Sequence, residues 1–181
     1  MKHIVLAVII GCVLIPAGVS AQKKPLSLGD EMPGFYLKDI GGEPFFMNDY
    51  LGENPKFECK AVIFSLSAST CKPCKKEIPE LGLFRDKYGK DGLKIFIIAL
   101  EKEDQARKLV EETGTTLPVL IDKYLMIPTL LGRKGIPFTI LVDRDRKVQY
   151  INTGFSEENA HEFIEPFENA IVETLAVDKK D

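Results

Sequence analysis

The stretch SASTCKPCKKEIPEL, residues 67–81, carries two cysteines, Cys71 and Cys74, with a Lys-Pro pair between them. Before it, residues 60–66 form a short and mostly apolar run, which is typical of a buried strand. After it, a helix is predicted from about Cys71 to Tyr88. The cysteines therefore lie where a strand ends and a helix begins, the place where open α/β sheets carry their functional sites.

The rest of the chain alternates apolar runs with charged, helix-like segments. The predicted elements are a hairpin within 35–46, strands at 60–66, 93–100, 117–121, 138–143 and 148–151, and helices at 71–88, 102–113 and from about Ser156 onward. Strands alternating with helices, followed by a strand pair and a helix, predict a mixed sheet with helices on both faces. We expect an α/β fold with one domain over residues 22–181.

The N-terminus has the pattern of a secretory signal peptide. A basic start at residues 1–3 precedes an apolar run at 4–15, and small residues at 19–21 suit cleavage before Gln22. Residues 1–21 are therefore interpreted as a signal peptide, which predicts a periplasmic or cell-envelope location. The alternative is a lipobox ending at Cys12, which would anchor the protein through a lipid. The apolar run continues past Cys12 and favours the soluble form.

Charge and cysteine count exclude several classes of function. The net charge is −3, or −4 without residues 1–21. The chain contains no long basic run of the kind that would indicate nucleic-acid binding. The remaining cysteines, Cys59, Cys71 and Cys74, are odd in number, so a fully paired disulfide framework within one molecule is excluded. With His161 as the one histidine left, the donor set is poor for zinc or copper. We expect no metal or organic cofactor.

The cysteine pair has the features of a redox centre. Unpaired N–H groups and the positive dipole at a helix start stabilise a thiolate at Cys71, and Lys72, Lys75 and Lys76 add positive charge. Cys74 lies one helical turn further on and can resolve a mixed disulfide. Pro73 has no N–H to lose at this position and stiffens the turn.

Together with GIPFTILVD at 135–143, the motif resembles the thioredoxin superfamily, and more narrowly its exported TlpA/ResA-type members. The resemblance implies a thioredoxin-like fold, a central mixed β-sheet flanked by helices, with an N-terminal β-hairpin extension. It implies that Cys71 attacks, that Cys74 resolves, and that Pro137, after Ile136, is a cis-proline that helps to dock an extended substrate segment. Pro128 resembles the same motif, but the strand predicted after Pro137 favours Pro137.

The resemblance also singles out Glu77 and the rim of the site. Glu77 matches an acidic residue that ResA-like proteins keep near their thiols, where it can move protons or oppose thiolate formation. The alternative is a solvated glutamate on an exposed helix face. Ser67 and Thr70 stand where the family usually has Trp, which makes the rim smaller and more polar and bears on partner choice. Ser65 stands where thioredoxins carry a buried acid, so that proton route is expected to be absent, with water or Glu77 as the candidates to substitute for it.

Cys59 lies just before the strand at 60–66, about 20 Å or more from the cysteine motif. We interpret it as a small, semi-buried hydrophobic residue; the alternative is an exposed thiol that could form dimers. Arg133 and Lys134 precede Pro137, where they could favour acidic partner segments or simply be solvated.

The sequence predicts an exported thiol–disulfide oxidoreductase that reduces disulfides of envelope proteins. The resemblance implies a membrane thiol–disulfide electron donor, and apocytochrome c among the substrates. An oxidase or isomerase on the same fold and a non-catalytic binding module are the alternatives. Peroxide reduction is disfavoured because Phe64 and Ala68 stand where peroxiredoxins have Pro and Thr. The direction of electron flow, the natural substrate and the oligomeric state stay open.

Overall fold

The computed structural model describes residues 24–158 and 160–177. Its strands are β1 Tyr36–Asp39, β2 Pro44–Phe46, β3 Ala61–Ser67, β4 Leu93–Ala99, β5 Val119–Ile121, β6 Phe138–Asp143 and β7 Val148–Thr153. Its α-helices are α1 Lys72–Tyr88, α2 Glu103–Thr113, α3 Met126–Leu131 and α4 Ala160–Ala176. Within this part of the chain, no helix is long and apolar enough to cross a bilayer.

The strands form one mixed sheet in the order β2-β1-β5-β4-β3-β6-β7. The three central strands β3, β4 and β5 are parallel, while β1, β6 and β7 pair antiparallel with their neighbours. The predicted N-terminal hairpin is present, with Tyr36 opposite Phe46. The prediction of a mixed sheet is therefore confirmed.

The C-terminal ends of β3, β4 and β5 and the N-terminal end of β6 lie at the same end of the sheet, which we call the upper edge. Ser67, Ala99 and Ile121 end β3, β4 and β5 there and lie side by side in the register. Phe138, the first residue of β6, lies opposite Leu66 at the same edge. The loop from β3 to α1 and the segment before β6 therefore meet at the upper edge.

Two hydrophobic layers cover the two faces of the sheet, and β3 is buried between them. Val62, Phe64 and Leu66 face a layer that contains α3 and the N-terminal segment around Met32. Ala61 and Ile63, one residue out of phase, face the layer formed with α1, α2 and α4. Helices on both faces are thus confirmed, with three on one side and the short α3 on the other.

Two features differ from the sequence-based expectations. Helix α3 was not predicted, because it is short and contains Pro128; Asp122 begins it by accepting the backbone N–H groups of Met126 and Ile127 at 2.8 and 2.7 Å. The prediction that the last helix starts near Ser156 is wrong, since α4 begins at Ala160. Phe155 instead packs edge-to-face on Phe163, with ring centroids 5.4 Å apart, before the helix begins.

Candidate active site

Cys71 and Cys74 form a disulfide at the upper edge, with their Cα atoms 5.3 Å apart. Cys71 is the N-cap of α1, and its Sγ accepts the backbone N–H of Cys74 at 3.2 Å. Cys71 is half-buried, whereas Cys74 is fully buried. A partner can therefore reach Cys71, while Cys74 lies beneath it at the donor end of the helix.

The first residues of α1 form an exposed rim. Lys72 and Pro73 occupy the first helical positions, where proline loses no intrahelical hydrogen bond, and both are exposed, as is Thr70 before the motif. Lys75 and Lys76 form ion pairs with acidic side chains of other elements, Glu112 and Glu157. Among the residues that the structure describes, Lys72 has no acidic partner, so it supplies the local positive charge.

Glu77 is fully buried under the motif, so the alternative of a solvated surface glutamate is wrong. Its carboxyl oxygens accept the hydroxyl groups of Ser65 and Thr139, each at 2.9 Å. Ser65 and Thr139 lie directly opposite each other in the β3–β6 register, on the face covered by α1. Burial raises the pKa of Glu77 to about 7, although both hydrogen bonds act in the opposite direction.

β3 carries no acid at Ser65, and Glu77 on α1 is the acid that lies against the Ser65 side chain. Of the two candidates to substitute for the missing acid, Glu77 therefore has a direct contact with Ser65. A proton-accepting group with a pKa near neutrality lies one helical turn beyond the buried Cys74. The small hydroxyl side chains on two neighbouring strands were the signal that such a position existed.

The Ile136–Pro137 peptide bond is cis, as the sequence predicts, while Pro128 lies inside α3. Pro137 is buried just before β6, and its carbonyl accepts the N–H of Gly154 at 2.8 Å. Ile136 is half-buried and packs against the layer that contains α3. Because Leu66 pairs with Phe138, the cis-proline segment lies beside the end of β3 and the loop to Cys71.

Sequence reasoning missed Glu101, which lies beyond the end of β4. Its carboxylate accepts both the backbone N–H and the hydroxyl of Ser69 at 2.8 Å, although Ser69 is 32 residues away in the chain. Glu101 is largely buried. A lone glutamate after an apolar strand carries no pattern that identifies such a contact.

Cys59 is buried and its thiol donates to the carbonyl of Tyr50 at 3.0 Å. Burial raises the pKa of its thiol to about 11. The interpretation as a small hydrophobic residue is confirmed, and the alternative of an exposed thiol is wrong. The guanidinium of Arg133 lies over the ring of Phe138 and donates a hydrogen bond to the carbonyl of Leu26, so this side chain contacts the protein and is not simply solvated.

Comparison with known proteins places this geometry in a family. Residues 28–151 match the model of the AhpC/TSA family. The chain belongs to that family. It is 31% identical over 150 residues to thiol-disulfide oxidoreductase ResA of Bacillus thuringiensis strain Al Hakam, covering 81% of this chain and 83% of the relative. It is 28% identical to ResA of Geobacillus thermodenitrificans, covering 85% and 86%.

A crystal structure from Chlorobium tepidum, assigned as thiol:disulfide interchange protein DsbE, superimposes with a TM-score of 0.72 at 28% identity. It covers 83% of this chain and 99% of that one. The predicted thioredoxin-like fold is confirmed. With the Cys71–Cys74 disulfide at the start of α1, the chain is a thiol–disulfide oxidoreductase whose redox-active group is this cysteine pair.

Proposed function

We propose that this oxidoreductase is exported and reduces disulfides of envelope proteins. The observation that carries the proposal is the burial of Glu77 beneath the cysteine pair. A carboxylate there opposes thiolate formation, so the reduced pair holds its protons and gives up electrons readily. Lys72 acts in the opposite direction, but it is exposed and screened by water, whereas Glu77 is not.

The reaction is a dithiol–disulfide exchange. The Cys71 thiolate attacks one sulfur of a partner disulfide, a mixed disulfide forms, and the other partner sulfur leaves as a thiolate. Cys74 then passes its proton to the Glu77 carboxylate and attacks Sγ of Cys71. This forms the Cys71–Cys74 disulfide and releases the second partner thiolate, so the partner gains two electrons and the enzyme loses them.

The rim around Cys71 serves as the docking surface for the partner. Ile136 and Pro137 lie beside the loop to Cys71, and Thr70, Lys72 and Pro73 are exposed around the half-buried sulfur. We propose that an extended segment of the partner lies along Ile136–Pro137.

The N-terminal sequence and the resemblance support the proposed location and partners. The signal peptide proposed at residues 1–21 lies outside the described residues; it supports export, with a lipid anchor if Cys12 is modified. A membrane thiol–disulfide donor would then supply electrons, and apocytochrome c or other envelope proteins would receive them. No organic cofactor or metal enters the cycle, because the cysteine pair carries the electrons.

The decisive experiment is the reduction potential of the Cys71–Cys74 pair in the mature protein, equilibrated against defined thiol buffers. A reductase is expected near or below about −250 mV, close to thioredoxin. A value above about −180 mV would instead establish an oxidase or isomerase. Loss of disulfide-reducing activity in Cys71→Ser, with a trapped mixed disulfide in Cys74→Ser, separates both enzymes from a non-catalytic binding module.

A further inference from the structure

The largely buried side chain of Glu101 forms hydrogen bonds with the loop that precedes Cys71. The loop between β3 and α1 consists of Ala68, Ser69 and Thr70, which offer little apolar surface for packing. Glu101 reaches this loop from the segment after β4 and accepts two hydrogen bonds from Ser69, one from the backbone and one from the hydroxyl. Glu101 therefore accepts two hydrogen bonds from one residue of this loop, one at each carboxyl oxygen.

The other bonds to this loop hold its ends. The N–H of Leu100 donates to the carbonyl of Ser67 at 2.9 Å, and the N–H of Cys71 donates to the carbonyl of Ala68 at 3.0 Å. Ser69 lies between these points, and the only hydrogen-bond partner that the described residues give its N–H and hydroxyl is Glu101. The Ala68–Cys71 bond closes a turn around Ser69 and Thr70, and Glu101 ties Ser69 in that turn to the segment after β4.

Within residues 24–158 and 160–177, Ser69 supplies both hydrogen bonds that the Glu101 side chain accepts. None of the ion pairs among the described residues includes Glu101, although the side chain is largely buried. Cys71 lies two residues beyond Ser69 in the same loop, so a negative charge on Glu101 can act on a thiolate at Cys71. Like charges at short range disfavour ionisation.

We propose that Glu101 is a positioning residue for thiol exchange: it fixes the loop so that Cys71 caps α1, and its negative charge restrains ionisation of the Cys71 thiol. The inference rests on Cys71 being the nucleophile, as in the proposed function, but not on the direction of electron flow. It assigns to a residue outside the cysteine motif both the geometry and part of the electrostatics of the attacking sulfur.

The test uses the reduced protein in a Cys74→Ser background and four variants: E101A, E101Q, S69A and the exposed α2 control E111Q. Alkylation of Cys71 by iodoacetamide, followed by mass spectrometry across pH, gives an apparent pKa and a limiting rate. The other charged groups around the pair stay unchanged in every variant: Lys72 and Glu77 on α1, Lys102 beside Glu101, and Arg133 and Lys134 before Pro137.

In E101Q one acceptor oxygen remains while the charge is lost, so the Cys71 pKa is expected to fall with little change in loop geometry. In parallel, with both cysteines present, E101A is expected to reduce insulin disulfides about tenfold more slowly, the equivalent of one lost charged hydrogen bond. S69A keeps the backbone hydrogen bond, so its rate of insulin reduction is expected to lie between those of E101A and wild type. E111Q is expected to reduce insulin at the wild-type rate.

Three outcomes decide the proposal. A fall in the Cys71 pKa in E101Q, with insulin reduction close to wild type, supports it. An unchanged pH profile in E101Q overturns the electrostatic part even if E101A fails to fold, and unchanged insulin reduction in S69A and E101A overturns the positioning part. Failure of the wild-type protein to reduce insulin would sink the proposed function alone, because the alkylation comparison needs no protein substrate.

Discussion

At the scale of single residues, the site is built from side chains whose environments differ sharply over a few positions. Lys72 and Pro73 are exposed, Cys71 is half-buried, and Cys74 and Glu77 are fully buried. The first turns of α1 therefore take the chain from an exposed surface to a site where a proton can be held away from water. The two cysteines differ in access although they are three residues apart.

The raised pKa of Glu77 predicts a stability change with pH. The folded protein holds the Glu77 proton up to about pH 7, whereas the unfolded chain releases it near the ordinary value of 4.5. The contribution is therefore fully present below pH 4.5 and is lost as the pH rises to 7. At 1.36 kcal/mol per pKa unit, we expect the free energy of unfolding of wild type to fall by roughly 3 kcal/mol over this range relative to that of Glu77→Gln.

Urea unfolding of both proteins, oxidised, between pH 4 and pH 8.5 measures this difference. Glu111→Gln, an exposed change on α2, serves as the control and should follow wild type throughout. If the free energies of unfolding of wild type and Glu77→Gln changed with pH in parallel, Glu77 would ionise as freely in the folded protein as in the unfolded chain, and the prediction would be wrong.

Cys59 provides a second prediction at this scale. Its thiol is buried and its pKa is raised to about 11, so thiol reagents should not reach it in the folded protein. We expect the reduced, native protein to react rapidly at Cys71 and slowly at Cys59, with Cys59 reacting only as the chain unfolds. Peptide mapping after a timed pulse of iodoacetamide measures this order, and rapid labelling of Cys59 would contradict it.

At the scale of elements, periodicity predicts what is local and misses what depends on distant contacts. β6 was predicted with its observed bounds, because an apolar run lies between Pro137 and the polar residues after Asp143. The burial of Glu77 could not be read from α1, since it depends on Ser65 and Thr139, which lie 12 and 62 residues away in the chain. The contact between Glu101 and Ser69 is equally non-local.

Helix α3 was missed because its start signal lies outside the helix. Asp122 is buried and accepts the N–H groups of Met126 and Ile127 across a turn in which Leu125 has a positive φ of 55°. Replacing Asp122 by Ala should destabilise the protein by about 1–2 kcal/mol, the usual cost of losing a helix cap. Hydrogen exchange should accelerate in α3 before it does so in α1.

Asp122→Asn is the matched variant, because its amide oxygen can still accept one of the two N–H groups. It should lie between wild type and Asp122→Ala in chemical denaturation. Equal stability of all three proteins would mean that packing of Ile127 and Leu131, and not the cap, holds α3 in place.

At the scale of the whole molecule, fold and redox chemistry are coupled through the cysteine pair. The family resemblance and the strand–helix order were sufficient to predict the sheet and the position of the motif at its upper edge. They could not predict the balance of charge around the sulfurs, because that balance depends on which lysines find partners. Lys75 and Lys76 are paired with Glu112 and Glu157, whereas Lys72 has no acidic partner in the part of the chain that the structure describes.

This coupling predicts which redox form of the protein is more stable. In a reductase the folded pair has a lower potential than the same cysteines in the unfolded chain, and by the thermodynamic cycle the disulfide must then stabilise the fold. We therefore expect the oxidised protein to unfold at a higher urea concentration than the reduced protein. Each 30 mV between the folded and unfolded potentials corresponds to about 1.4 kcal/mol.

Paired urea titrations with and without excess reductant, at constant pH, measure this difference, and Cys71→Ser/Cys74→Ser serves as the variant that reductant should not affect. A more stable reduced form would mean that the fold favours the thiolate, as in strong oxidants whose reduced form is the stabilised one. The positive charge of Lys72 and the helix start would then outweigh the buried Glu77. The proposed direction of electron flow would have to be reversed, while the exchange chemistry at Cys71 would stand.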